Sequence, residues 1–179
     1  SGWRLGFSVS SPEITTAISK MINTTLSCTP PIVQLAGKAA LEKDSSERDE
    51  VMQKFRQKVE LLTAGLNKID GVETLPPLAT FYVFPNVAPI CNRLGITSHG
   101  LALYLLEGAD DKFGVACLGG ECFGDAGHGF LRFSCAEADE RLLQAVEFLP
   151  EAISRTERIQ AFLEERPQYR LADPYPEPA

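Results

Sequence analysis

Between Ser45 and Ile69 the chain carries a long, one-sided helix signature, and this restricts the folds open to it. Val51, Phe55, Val59, Leu62 and Leu66 recur at steps of three and four residues, with Glu and Lys filling the opposite side. Asp70-Gly71 supplies a stop. A helix with a single apolar stripe must lay it against a second layer. Downstream, residues 72–75, 80–84, 113–117 and 130–135 read as short strands, interrupted by Pro76-Pro77, a helix over Ser98–Leu106 and a glycine-rich loop at 119–129. A closing helix or helix pair is predicted from Ala138 to about Glu165, broken or bent at Pro150. A long helix, then strands alternating with helices, then a closing helix predicts a two-layer α/β fold.

Ahead of the long helix, residues 4–10 alternate as a short strand. Ser11 is a candidate N-cap with Pro12 at the first helical position, for a helix reaching Met21 or Ile22. Thr29-Pro30-Pro31 marks a hinge or helix start. Residues 32–43 read as a helix whose Ala36, Ala39 and Ala40 give it a slim face. The proline-rich end, from Arg166-Pro167 onward, reads as an extended tail with few apolar anchors.

Composition narrows function. A net charge of −7 argues against a nucleic-acid partner, because phosphate binding needs a basic patch. No apolar run approaches the ~18–20 residues of a membrane helix, and the opening lacks a signal-peptide pattern. Five scattered cysteines are not a disulfide framework and point to a reducing cytoplasm. Cys117 and Cys122 lack further ligands at metal spacing, so no metal site is expected. Cys122 has no His at useful sequence spacing and reads as a structural or incidental thiol rather than a nucleophile. His99 and His128 fall at a helix start and a turn and read as structural. Phe81 and Tyr82 are core or pocket-wall residues.

The residue that stands out is Arg132, a lone cation within Gly129-Phe130-Leu131-Arg132-Phe133-Ser134. Its planar fork suits a carboxylate gripped through two parallel hydrogen bonds. Three more segments accompany it in order: Ser1-Gly2-Trp3-Arg4-Leu5-Gly6, Ala79-Thr80-Phe81-Tyr82-Val83-Phe84-Pro85, and Gly119-Gly120-Glu121-Cys122-Phe123-Gly124. As an ordered set they resemble the class I/II pyridoxal-phosphate-dependent aminotransferases of the aspartate-aminotransferase fold, over roughly residues 1–155.

The resemblance implies a C-terminal segment of such an enzyme. Residues 1–30 would be a remnant of the large cofactor domain. Residues 31–160 would form the two-layer small domain with a linking helix at 46–69, and 161–179 a tail. Residues 35–155 are then expected to be compact, with 1–30 mobile or paired to another chain. Arg4 matches the arginine that pairs with the phosphate of pyridoxal phosphate, and Arg132 the one that grips the substrate α-carboxylate. The Schiff-base lysine of the pattern stands eight residues before Arg4, ahead of Ser1, so the chain alone is expected to be inactive. Thr29-Pro30 replaces the Asn-Pro of many relatives. The implied substrates are an amino acid and a 2-oxo acid, and the implied assembly of the full-length form is a homodimer. Pyridoxal-phosphate lyases of the same fold keep similar arginines and stay open as an alternative, as does a non-catalytic binding module.

Overall fold

A computed structural model describes residues 2–43 and 45–176. Ser1, which opens the first motif, Asp44 and the tail residues 177–179 lie outside them. The chain forms two compact units, Ser1–Asp49 and Glu50–Ala179.

The first unit holds helices α1 (Pro12–Thr25) and α2 (Pro31–Glu42), each opened by a proline in its first turn. Ser11 precedes α1 with extended backbone angles, but its side chain makes no capping bond. Residues 4–10, expected as a strand, are irregular because no neighbouring strand among the described residues offers them a ladder. None of the described residues of this unit is buried.

The long helix α3 (Ser46–Leu66) begins at the unit boundary. Its stripe is used unevenly. Val59, Leu62 and Leu66 are buried, whereas Val51 is 49% exposed. The second unit continues with β1 (Tyr82–Val83), α4 (Ala88–Leu94), α5 (Ser98–Leu103), β2 (Leu118–Gly119), β3 (Leu131–Ser134), α6 (Asp139–Ser154) and α7 (Thr156–Glu165). The three strands form one antiparallel sheet in the order β1-β3-β2. Register pairs Val83 with Phe133 and Gly119 with Leu131, so Val83, Leu131 and Phe133 all enter the core. There they meet Leu62 and Leu66 of α3, Leu101 of α5 and Leu149 of α6. This is the α/β arrangement expected from the alternation of elements.

Several local expectations differ. Residues 72–75 contribute a single bridge, Glu73 to Asn86, and 113–117 run extended without a ladder. Helix α4 has no counterpart in the sequence reading, its seven residues being too few to show a period. The helix from Ser98 widens into a π-turn at Tyr104–Gly108. Helix α6 runs through Pro150, and the break falls instead at Arg155, with φ −80° and ψ 64°. There the guanidinium bonds the Ala109 carbonyl, Asp110 and Glu151, which holds the corner. The tail is extended yet anchored. Ile96 bridges to Arg170, Leu171 N–H donates to Gly95 O, and Tyr175 is 8% exposed.

Candidate functional site

Strand β3 lies between β1 and β2, and the strand period of two sends alternate side chains to opposite faces. Leu131 and Phe133 face the core, so Arg132 must project from the other face, beside Tyr82 and Leu118 of the neighbouring strands. Its guanidinium carbon stands 4.3 Å from the Tyr82 ring centroid and 4.6 Å from that of Phe123. Each such cation–ring contact stabilises by roughly 0.5–1 kcal/mol at an exposed site. Among the described residues no carboxylate lies within ion-pair distance of Arg132. Two aromatic rings thus lie against the guanidinium, and no described carboxylate does.

The surroundings are aromatic. Phe84 stacks on Phe130 at 5.2 Å with 7° between planes, and meets Phe123 edge-on at 5.9 Å. Phe84 is 39% and Phe123 49% exposed, so the wall is open to a ligand. Phe81 packs between Phe55 and Tyr82.

Phe123 belongs to a loop that folds tightly against itself. A β-carbon built on Gly120 would sit 1.9 Å from Gly127 O, and one on Gly127 would sit 2.0 Å from Gly120 O. Only paired glycines permit that approach. The loop is also held by Glu121. One carboxylate oxygen accepts from Ser98 Oγ at 2.7 Å, the His99 amide at 3.1 Å and the Tyr175 hydroxyl at 3.0 Å. Burial pushes the Glu121 carboxyl upward, but the bonds from Ser98, its own amide, His99 and Tyr175 outweigh it, and the net shift is downward.

Arg4 belongs to the first unit and Arg132 to the second. Arg4 is exposed and takes φ +51°, a left-handed conformation that costs a non-glycine residue roughly 1–2 kcal/mol. Among the described residues no carboxylate pairs with it.

Phe123, Glu121, Ser98 and Tyr175 escaped the sequence reading as parts of this site. Glu121 and Phe123 carried a signal as members of the Gly119–Gly124 motif, whereas Ser98 and Tyr175 carried none. The fold also brings His99 Nδ1 to 4.0 Å from the exposed Cys122 sulfur across 23 residues of sequence. His128 meets the Tyr175 ring edge-on at 5.9 Å.

Comparison with known proteins places these features in a family. The aminotransferase class I and II model matches residues 1–149. An aspartate aminotransferase of Pyrococcus horikoshii is 29% identical over 154 residues, 85% of this chain and 37% of the relative. An LL-diaminopimelate aminotransferase of Syntrophobacter fumaroxidans is 32% identical over 146 residues, 82% of this chain and 35% of its own length. Among solved structures, an aromatic aminotransferase from Pyrococcus horikoshii superposes with a TM-score of 0.63 at 31% identity, covering 93% of this chain and 40% of that one. The chain thus spans well under half the length of the relatives it matches. A family model that takes in all four motifs, with solved relatives that superpose on nearly the whole chain, establishes that this chain belongs to the class I and II aminotransferases.

Proposed function

We propose that this chain is the C-terminal, carboxylate-gripping part of a pyridoxal-phosphate-dependent aminotransferase, which moves an amino group between an amino acid and a 2-oxo acid. The observation that carries the reading is Arg132, a guanidinium stacked between Tyr82 and Phe123 with its donor edges unclaimed by any described carboxylate. In that role Arg132 binds the substrate α-carboxylate through two parallel hydrogen bonds and so orients the α-carbon. Tyr82 and Phe123 restrict where the fork can swing, and Phe84 stacked on Phe130 adds an apolar wall beside Phe123.

Two cations without described carboxylate partners, one per unit, suit two anions, a cofactor phosphate at Arg4 and a substrate carboxylate at Arg132. Pyridoxal phosphate, when bound, supplies the electron sink for chemistry at the α-carbon. No residue of this chain is assigned the proton transfer.

The relatives named aspartate, LL-diaminopimelate and aromatic aminotransferases share no single side chain, so the proposal extends to the reaction and stops short of one amino acid. A homodimer in a reducing cytoplasm is part of the proposal. Free thiols favour that compartment, and the uncovered apolar surface of residues 2–52 favours burial against further polypeptide.

Arg132→Lys in the natural full-length product tests the reading. Loss of the bidentate fork is expected to lower kcat/KM for the amino acid about 100-fold, the worth of roughly 3 kcal/mol. A change within threefold would sink the assignment. Borohydride trapping of added pyridoxal phosphate, with peptide mapping, should label a lysine ahead of Ser1 in that product and none in the 179-residue chain.

A further inference from the structure

The family model ends at residue 149, yet the segment beyond α7 reaches back to the site. Thr97 N–H donates to Tyr169 O at 2.9 Å and Leu171 N–H to Gly95 O at 2.9 Å. The Asn92 side chain then brackets Tyr175, donating to its carbonyl at 3.0 Å and accepting from its amide at 2.8 Å. These contacts drive the Tyr175 ring into the core beside Gly129 and His128.

The Tyr175 hydroxyl enters a network in which every hydroxyl both donates and accepts. It accepts from Ser98 N–H at 3.1 Å and donates to Glu121 Oε1 at 3.0 Å. Ser98 Oγ donates to the same oxygen at 2.7 Å and accepts from Gly129 N–H at 3.0 Å. Glu121 Oε2 is buried with no hydrogen-bond partner, so Oε1 alone anchors the carboxylate. Glu121 and Phe123 share one short 3-10 turn, Gly120–Phe123, and Gly129 leads into the strand of Arg132. The network therefore grips both ends of the loop that lays Phe123 over the guanidinium.

We propose that the C-terminal segment Tyr169–Pro176 is a clamp that, through Tyr175 and Glu121, positions Phe123 over Arg132 and so sets the carboxylate affinity of the site. Tyr175 and Glu121 are positioning residues, since neither touches the guanidinium. The inference rests on the reading of Arg132 as a carboxylate grip, and two of its readouts do not depend on that reading.

The experiment uses the whole 179-residue chain and compares Tyr175→Phe, Glu121→Gln, Glu121→Leu, Phe123→Leu and Arg132→Gln with the parent sequence. It follows amide exchange over residues 120–129, the Arg132 Nε–H NMR signal, which the stacked rings displace, and titration with 3-phenylpropionate. Tyr175→Phe removes one hydrogen bond and keeps the ring. It should speed loop exchange and weaken 3-phenylpropionate binding by roughly three- to tenfold. It should also move the Arg132 signal toward its position in Phe123→Leu, with α6 amides unchanged. Glu121→Gln, which keeps an acceptor, should retain more of the parent behaviour than Glu121→Leu. Unaltered loop exchange and an unmoved Arg132 signal in both Tyr175→Phe and Glu121→Leu would overturn the clamp. If 3-phenylpropionate binds the parent and Arg132→Gln equally, the carboxylate reading and the affinity claim fall together. Exchange and the Arg132 signal then still decide whether the segment positions Phe123.

Discussion

A guanidinium that already lies against two rings has less freedom left for a bound carboxylate to remove. That is why the Tyr82–Arg132–Phe123 stack matters more than the charge alone. Lysine would keep the charge and lose both the fork and the flat faces. Residue environment also separates the thiols. Burial pushes Cys117 up to about 12, and raises Cys135 to about 11 against the opposing charge of Lys58. Cys91 is raised further still by burial, with Glu121 adding to the effect. Cys28 and Cys122 are exposed. A disulfide exchange reagent at neutral pH should therefore titrate two thiols quickly in the native chain and all five after denaturation. Four fast thiols would contradict this packing.

At the level of elements, the loop before β3 depends on two glycines meeting backbone to backbone. Gly120→Ala would push a methyl group into Gly127 O and should cost about 1–3 kcal/mol in overpacking, measured by urea unfolding. A cost below about 0.5 kcal/mol would mean that the loop relaxes freely. The corner between α6 and α7 is electrostatic. The Lys112 amide, then the Arg155 guanidinium, and the Phe113 amide hold the Asp110 carboxyl at about 2, below its ordinary 3.8, against a smaller upward push from burial. A depressed carboxylate stabilises fully above its unfolded value, and that contribution is lost as pH falls through the folded one. Asp110→Asn should thus lower Tm at pH 7, with the difference from the parent shrinking between about pH 4 and pH 2. A difference independent of pH would rule out this ion pair as its source.

The whole molecule divides by burial. Helices α1 and α2 bury no side chain, and isolated helices shorter than ~12–15 residues are marginal in water. The second unit, by contrast, gathers its buried hydrophobic residues into one cluster. Amides of residues 5–43 should exchange near intrinsic rates in the 179-residue chain, while those of Val59–Leu66 and Leu142–Leu163 should be strongly protected. Uniform protection across both units would refute that division.

Periodicity and turn chemistry were enough to read α1, α2, α3 and the closing helices, because an apolar stripe, a proline at a first turn and a terminal glycine are local signals. The four ordered motifs likewise singled out Arg4 and Arg132 as candidate anion sites. Strand lengths were not legible, since a strand exists only where a neighbour completes its ladder, and residues 4–10 have none among the described residues. The helix break at Arg155 was hidden for a related reason, because contacts made 45 and 46 residues away set it. The ring that caps Arg132 and the tail that reaches Glu121 belong to the same class. Phe123 and Tyr175 meet their partners through chain reversals, so only the folded molecule brings together the groups whose distances decide the chemistry.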